Sequence, residues 1–316
     1  MRVLGRTLTS GEFLLTVAVA WLALSGWVRT SPGSQQAVPA GPAAGQAPGY
    51  VGEAMCSTCH DTQGETLKGT PHARTNDPRS PAGKFACESC HGPGKDHVDA
   101  GGDKTKIKVF TANPADATAT CVTCHNRGEH ALWNGSTHER RKVGCLTCHS
   151  VHSGKSVTGQ LVTETQARLC ARCHRDKVAK LDRSGHMPVR EGKLECTSCH
   201  NTHGSQNVRL LRMGTSVNEA CWSCHAEKRG PFLWEHAPTR ESCVTCHDPH
   251  GSANERMLVA RLPFLCQRCH VHARHPATIY DAVVMQSSNR VYGRACVNCH
   301  SSIHGSNHPS GMAFHR

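Results

Sequence analysis

Polar residues dominate the chain, and apolar residues are scattered through it. One twelve-residue apolar run exists, at positions 13–24 with Thr16 as its one polar residue, preceded by Arg2 and Arg6. Its length and basic flank predict a signal-peptide core, since a spanning helix needs about 20 apolar residues. Cleavage is expected after Ser25 or Ala40; the alternative is an uncleaved anchor continuing through Trp27 and Val28. Residues 1–40 are read as signal peptide and start of linker, 41–55 as a Pro/Gly/Ala-rich linker, and 56–316 as the functional domain. Beyond the leader, no run alternates with the period of a strand. The expected chain is mostly irregular, with short α-helices and little or no β structure.

Composition sharpens this picture. The hydrophobic fraction of 37% includes 20 Cys, and only 4% of residues are aromatic. Without cysteine the apolar share falls to roughly 31%, too little for one large core of side chains. A polytopic membrane protein is excluded for want of further apolar runs. Something other than side chains must fill the interior.

The cysteines indicate what. All 20 fall into ten Cys-x-x-Cys-His motifs: Cys56, Cys59 and His60; Cys87, Cys90 and His91; Cys121, Cys124 and His125; Cys145, Cys148 and His149; Cys170, Cys173 and His174; Cys196, Cys199 and His200; Cys221, Cys224 and His225; Cys243, Cys246 and His247; Cys266, Cys269 and His270; Cys296, Cys299 and His300. This is the attachment signature of c-type haem. On one helical turn, residues i and i+3 share a face, so both thiols reach the vinyl groups of one porphyrin. The following histidine then lies beneath the iron. Disulfides or zinc knuckles are the competing readings of paired cysteines. Neither explains a histidine after every pair.

Fourteen histidines lie outside the motifs. A near type follows the motif histidine by three to six residues: His97, His152, His203, His250 and His304. A far type follows by eleven to thirteen: His72, His138, His186 and His236. The fifth far-type motif breaks the spacing, with His275 only five residues beyond His270. This parsing supplies one distal ligand for each of ten bis-histidine haems. His272 and His308 compete with His275 and His304. His130 and His315 are left over, with solvation or propionate pairing as their expected role. Three residues span at most about 10 Å, so a near-type histidine cannot wrap around its own haem and should serve a neighbour.

The pattern repeats. CLTCHSVHSG, CTSCHNTHGS and CVTCHDPHGS, with a further copy in CVNCHSSIHGS, recur about every 50 residues, each of the first three followed by a second motif. Five two-haem units result, starting at Cys56, Cys121, Cys170, Cys221 and Cys266. Such a line of haems in a thin sheath should be elongated. Ser216 or Asn218 is expected to cap the helix before Cys221. The recurring Leu132-Trp133 and Leu233-Trp234 are expected to pack on haem faces.

The formal charge of +12 invites a nucleic-acid reading. Ten haems bring about twenty propionate charges, which offset it and make the Lys and Arg residues propionate partners. No nucleic-acid partner is expected.

On these motifs, and most specifically on CWSCHAEKRGPFLWEHAPTRESCVTCHDPHGS and CVNCHSSIHGSNHPSG, the chain resembles the MtrA/DmsE-type periplasmic decahaem cytochromes c from about residue 50 onward. The resemblance implies a periplasmic, outer-membrane-associated electron conduit. Its implied partners are an outer-membrane β-barrel, an outer-face multihaem cytochrome or reductase, and periplasmic or inner-membrane cytochromes. It implies roles in extracellular respiration or ferrous-iron oxidation. His130, in NRGEHALW, matches no ligand position of that family. Two alternatives remain: a multihaem oxidoreductase of nitrogen compounds, and a soluble periplasmic shuttle. The oxidoreductase needs an open haem; no CxxCK motif marks one, and no catalytic residue is assigned.

Overall fold

The computed structural model describes residues 47–110, 114–270 and 295–315. The chain divides into two units, Met1–Gly41 and Pro42–Arg316. The first, with the expected signal run and both cleavage sites, lies outside the described residues, as do His272 and His275. Among the described residues no helix is long and apolar enough to cross a membrane.

Every motif closes one α-turn. In all ten, the motif histidine N–H donates to the carbonyl of the first cysteine, at 2.8–3.1 Å. That bond sets the two thiols on one face of the turn. The first cysteines of consecutive motifs also meet within the expected two-motif units. Cys121 and Cys145 lie close enough to share a hydrogen bond, as do Cys170 and Cys196, and Cys221 and Cys243. In each of these pairs the shared proton and burial push the first-named thiol up.

Far-type and near-type motifs reach that turn differently. Far-type Cys170 and Cys221 lie in helices Gln166–Ala171 and Val217–Trp222, capped by Thr165 and Ser216, whose hydroxyls accept the Arg168 and Glu219 N–H groups. Ser216 is thus the cap. Asn218 is buried instead; it donates to the Thr239 and Arg240 carbonyls and accepts the Cys243 N–H, tying its motif to the next. A second helix starts directly after the far-type histidine, as in Asp61–Leu67 and Arg175–Leu181. In the near type the motif can itself be the helix, as in Cys145–Cys148 and Cys196–Cys199. The chain leaves these extended, turns, and pairs back on the histidine through isolated antiparallel bridges: His149 with Leu161, His200 with Leu211, His247 with Leu258. Isolated bridges are the whole of the β structure among the described residues.

The near-type loops then pack on far-type segments from an earlier unit. Gly204 and Gly251, the glycines of the first two of three HGS triplets, have φ of +129° and +118°. A Cβ at Gly204 would lie 2.1 Å from the Leu132 carbonyl oxygen, and at Gly251 2.3 Å from that of Lys180. Only glycine permits both the backbone angle and the crossing.

Side chains provide almost no core. Ala117 and Trp133 are the buried apolar residues among those described. In place of a core runs a cavity of about 5240 Å³. A single-ligand pocket is about 300–1,000 Å³. The last residues of the stretch read as linker join this body: the buried Glu88 carboxylate accepts the Val51, Gly52 and Gly94 N–H groups. The two Leu-Trp pairs differ. Trp133 lines the cavity, whereas Trp234 is 39% exposed and its backbone pairs with the buried Ser306.

Candidate cofactor-binding array

Nineteen of the twenty cysteines and all ten motif histidines line the cavity. Its histidines come together two by two. His60 faces His97 with ring centroids 6.2 Å apart, His125 faces His72 at 6.0 Å, and His91 faces His152 at 6.4 Å. His149 faces His203 at 6.0 Å, His174 faces His138 at 6.3 Å, and His200 faces His250 at 6.1 Å. His225 faces His186 at 6.3 Å, His247 faces His304 at 6.2 Å, and His270 faces His236 at 6.2 Å. Each of the nine pairs joins one motif histidine to one outside the motifs. For the tenth motif histidine, His300, the remaining distal candidate, His275, lies outside the described residues.

The spacing carries chemical information. An imidazole nitrogen sits about 2.0–2.1 Å from a bound metal ion, which puts two rings on opposite sides of one metal roughly 6 Å apart, centre to centre. Rings in van der Waals contact lie closer. Among the described residues no three His, Cys, Asp or Glu side chains converge as a metal site of protein ligands alone requires. Two axial imidazoles, with four equatorial positions left to a porphyrin, fit what is present.

The pairing has a fixed register. Each of the four described far-type histidines faces the motif two ahead of its own. His152, His203, His250 and His304 face the motif two behind. His97 serves the first motif, one behind. A far-type segment therefore reaches forward and a near-type loop reaches back, so consecutive units interlock.

Burial favours the neutral form of seven of the facing non-motif histidines, the form a metal ligand must take. Burial lowers the pKa of His72, His152, His186, His236, His250 and His304, and pushes His203 down to about 4. Motif histidines of the near type gain a second constraint. Nδ1 of His91, His149, His200, His247 and His300 meets the carbonyl oxygen of Lys108, Gly159, Arg209, Arg256 and Ala313, at 2.5–2.9 Å. Arg209 and Arg256 adopt φ of +56° and +54° to aim that oxygen. A left-handed non-glycine residue costs on the order of 1 kcal/mol, which marks a position held by its surroundings. The sequence carries no signal for these acceptors, because the group is backbone and the residue is arginine.

Three histidines stand apart. His130, expected to be solvated or paired with a propionate, packs between His125 at 5.3 Å and His203 at 4.2 Å and lines the cavity. His315 lies 4.5 Å from His300. These distances are too short for an ion between the rings. His308 accepts the Ser310 N–H on Nδ1, whereas His304 faces His247.

Comparison with known proteins places this geometry. A family model described as the doubled CXXCH motif matches residues 138–179, 186–230 and 236–275. The chain is 41% identical to the multiheme cytochrome MtrA of Shewanella baltica over 276 residues, covering 84% of this chain and 81% of the relative. The chain belongs to the MtrA family of multihaem cytochromes c. It is also 27% identical to the cytochrome c-type protein NrfB of Escherichia coli over 128 residues, 40% of this chain and 66% of the relative. Identity to the C-type polyheme cytochrome OmcB of Geobacter sulfurreducens is 28% over 216 residues, 53% of this chain and 28% of the relative. As a member of the MtrA family the protein is an electron-transfer cytochrome that carries covalently bound c-type haems.

Proposed function

We propose that the protein is a decahaem wire in which every iron is closed by two histidines. The observation that carries this reading is the set of nine facing pairs, each built from one motif and one non-motif histidine. Cysteines i and i+3 of each turn provide the covalent anchors, and the motif histidine provides the proximal ligand. His97, His72, His152, His203, His138, His250, His186, His304 and His236 provide the distal ligands in the order given by the pairs. His275, the distal candidate left over, is assigned to His300, one motif ahead, as His97 serves His60 one motif behind. When bound, the haems supply one-electron chemistry. The residues fix ligation, exclude substrate from the metal and keep neighbouring sites in contact.

With no position left for substrate, the reading is a non-enzymatic carrier. The resemblance to the MtrA/DmsE-type cytochromes favours a periplasmic location at the outer membrane. It also favours a barrel and an outer-face cytochrome or reductase as partners, in exchange with periplasmic carriers, for extracellular respiration or ferrous-iron oxidation. A haem count by mass spectrometry, joined to EPR of the oxidised protein, tests the ligation. Ten haems, all low-spin, are expected. A stoichiometric high-spin signal would move the reading to a multihaem oxidoreductase. Co-purification with outer-membrane fractions separates the conduit from a soluble shuttle.

A further inference from the structure

The residue directly after the motif histidine differs among the four similar near-type loops: Ser150, Asn201, Asp248 and Ser301. Asp248 alone is charged. Its Oδ1 accepts the His250 N–H at 3.1 Å, just as Asn201 Oδ1 accepts the His203 N–H at 3.1 Å. The local turn is therefore the same with an amide or a carboxylate; the second polar atom differs, with Asn201 Nδ2 donating to the Glu129 carbonyl where Asp248 Oδ2 accepts from Lys180 Nζ. That charge stands beside a facing ring. Asp248 Oδ1 lies 3.6 Å from His250 Nδ1, and Oδ2 lies 2.6 Å from Lys180 Nζ. The first distance is too long for a hydrogen bond, so the carboxylate acts on the imidazole through space. On the opposite side of the pair, His200 Nδ1 meets the Arg209 carbonyl at 2.9 Å. Lys177, on the same helix as Lys180, is the other charged side chain acting on His250.

We infer that Asp248 and Lys180 form a potential-setting pair for the haem held by His200 and His250. The inference rests on the ligand reading proposed above. A negative charge beside an axial ligand favours the oxidised, more positive iron, so Asp248 lowers this midpoint potential. Lys180, bound to the other carboxylate oxygen, offsets part of that field. The loop that supplies His203 to the pair with His149 carries the neutral Asn201 at the equivalent place. The sixth of the ten motifs is therefore harder to reduce than it would be with the amide.

The test is a potentiometric titration of the full-length, haem-loaded protein, with haem count and EPR on each variant. Asp248→Asn should move one of ten one-electron components upward. Lys180→Met should move the same component downward, because the carboxylate is left uncompensated. Both variants break the same ion pair, so a purely structural role would shift both in one direction. A common direction, or no shift with ten low-spin haems intact, overturns the inference. Asn201 in the equivalent turn shows that this backbone accepts the amide. His250→Met separately tests the ligand reading. It should raise one midpoint, and unchanged components there would remove His250 from the ligand set itself.

Discussion

In each two-motif unit, far-type and near-type histidines are held by different means. His174 is followed at once by the helix Arg175–Leu181, and among the described residues no backbone carbonyl meets its Nδ1. His200 leaves its turn extended, pairs with Leu211 and is gripped by the Arg209 carbonyl. Ring orientation follows this division only in the middle of the chain. Pairs on near-type motif histidines are within 31° of parallel, down to 9° for His200 and His250. Of the five pairs on far-type motif histidines, three are crossed, at 81°, 69° and 62°, while His60/His97 and His270/His236 stand at 22° and 17°. A repeated motif thus builds two kinds of site. What differs is the chain after the histidine, whose backbone partner fixes the ring plane and raises ligand basicity.

The largest expected effect comes from breaking the near-type crossing. Gly251→Ala places a Cβ against the Lys180 carbonyl at a positive φ and should cost about 3 kcal/mol or more. Gly69→Ala, on a far-type segment with open space around it, should cost only about 1 kcal/mol. Denaturant unfolding of the two variants, side by side, measures the contrast. Next in size is ligand identity. His203→Met should keep the haem count and raise one midpoint potential, since thioether ligation raises the potential relative to imidazole. An unchanged redox titration would remove His203 from the ligands.

The carbonyl grip should give a smaller, directional shift. Proline cannot adopt the φ of +54° that Arg256 holds, so Arg256→Pro withdraws the acceptor from His247 and should raise one midpoint. Arg256→Gly keeps the angle and should leave that midpoint where it is. Equal behaviour of the two variants would dismiss the grip as a tuning device. The subtlest difference is spectroscopic. Crossed imidazole planes leave the iron dπ orbitals nearly degenerate, and parallel planes split them. The oxidised protein should therefore show a minority class of highly anisotropic low-spin EPR signals, matching the three crossed pairs, beside a resolved rhombic majority.

Much of this array was legible in the sequence because covalent chemistry demands contiguous residues. Cys-x-x-Cys-His must lie on one turn, and each of the ten motifs does. The near–far division was legible as spacing, and the cap before Cys221 was narrowed to Ser216 or Asn218. The register of pairing was not. Chain reach forbids a near-type histidine its own haem but does not choose among neighbours, and the choice of two motifs back depends on loop crossings at Gly204 and Gly251. His130 looked like a spare surface residue, because nothing local reveals that His203 arrives from a later unit to pack on it. Trp234 looked equivalent to Trp133, yet it is half-exposed while Trp133 is buried against the cavity. Contacts made across units are invisible to a reading made within them.

The central claim is that each iron lies between one motif histidine and one histidine outside the motifs that follows a different motif. Anomalous diffraction at the iron edge, from crystals of the haem-loaded protein, tests it most directly. The account predicts ten iron peaks, nine of them midway between the ring pairs named here and the tenth against His300. An iron bound opposite a different histidine, or one with a single protein ligand, would contradict it.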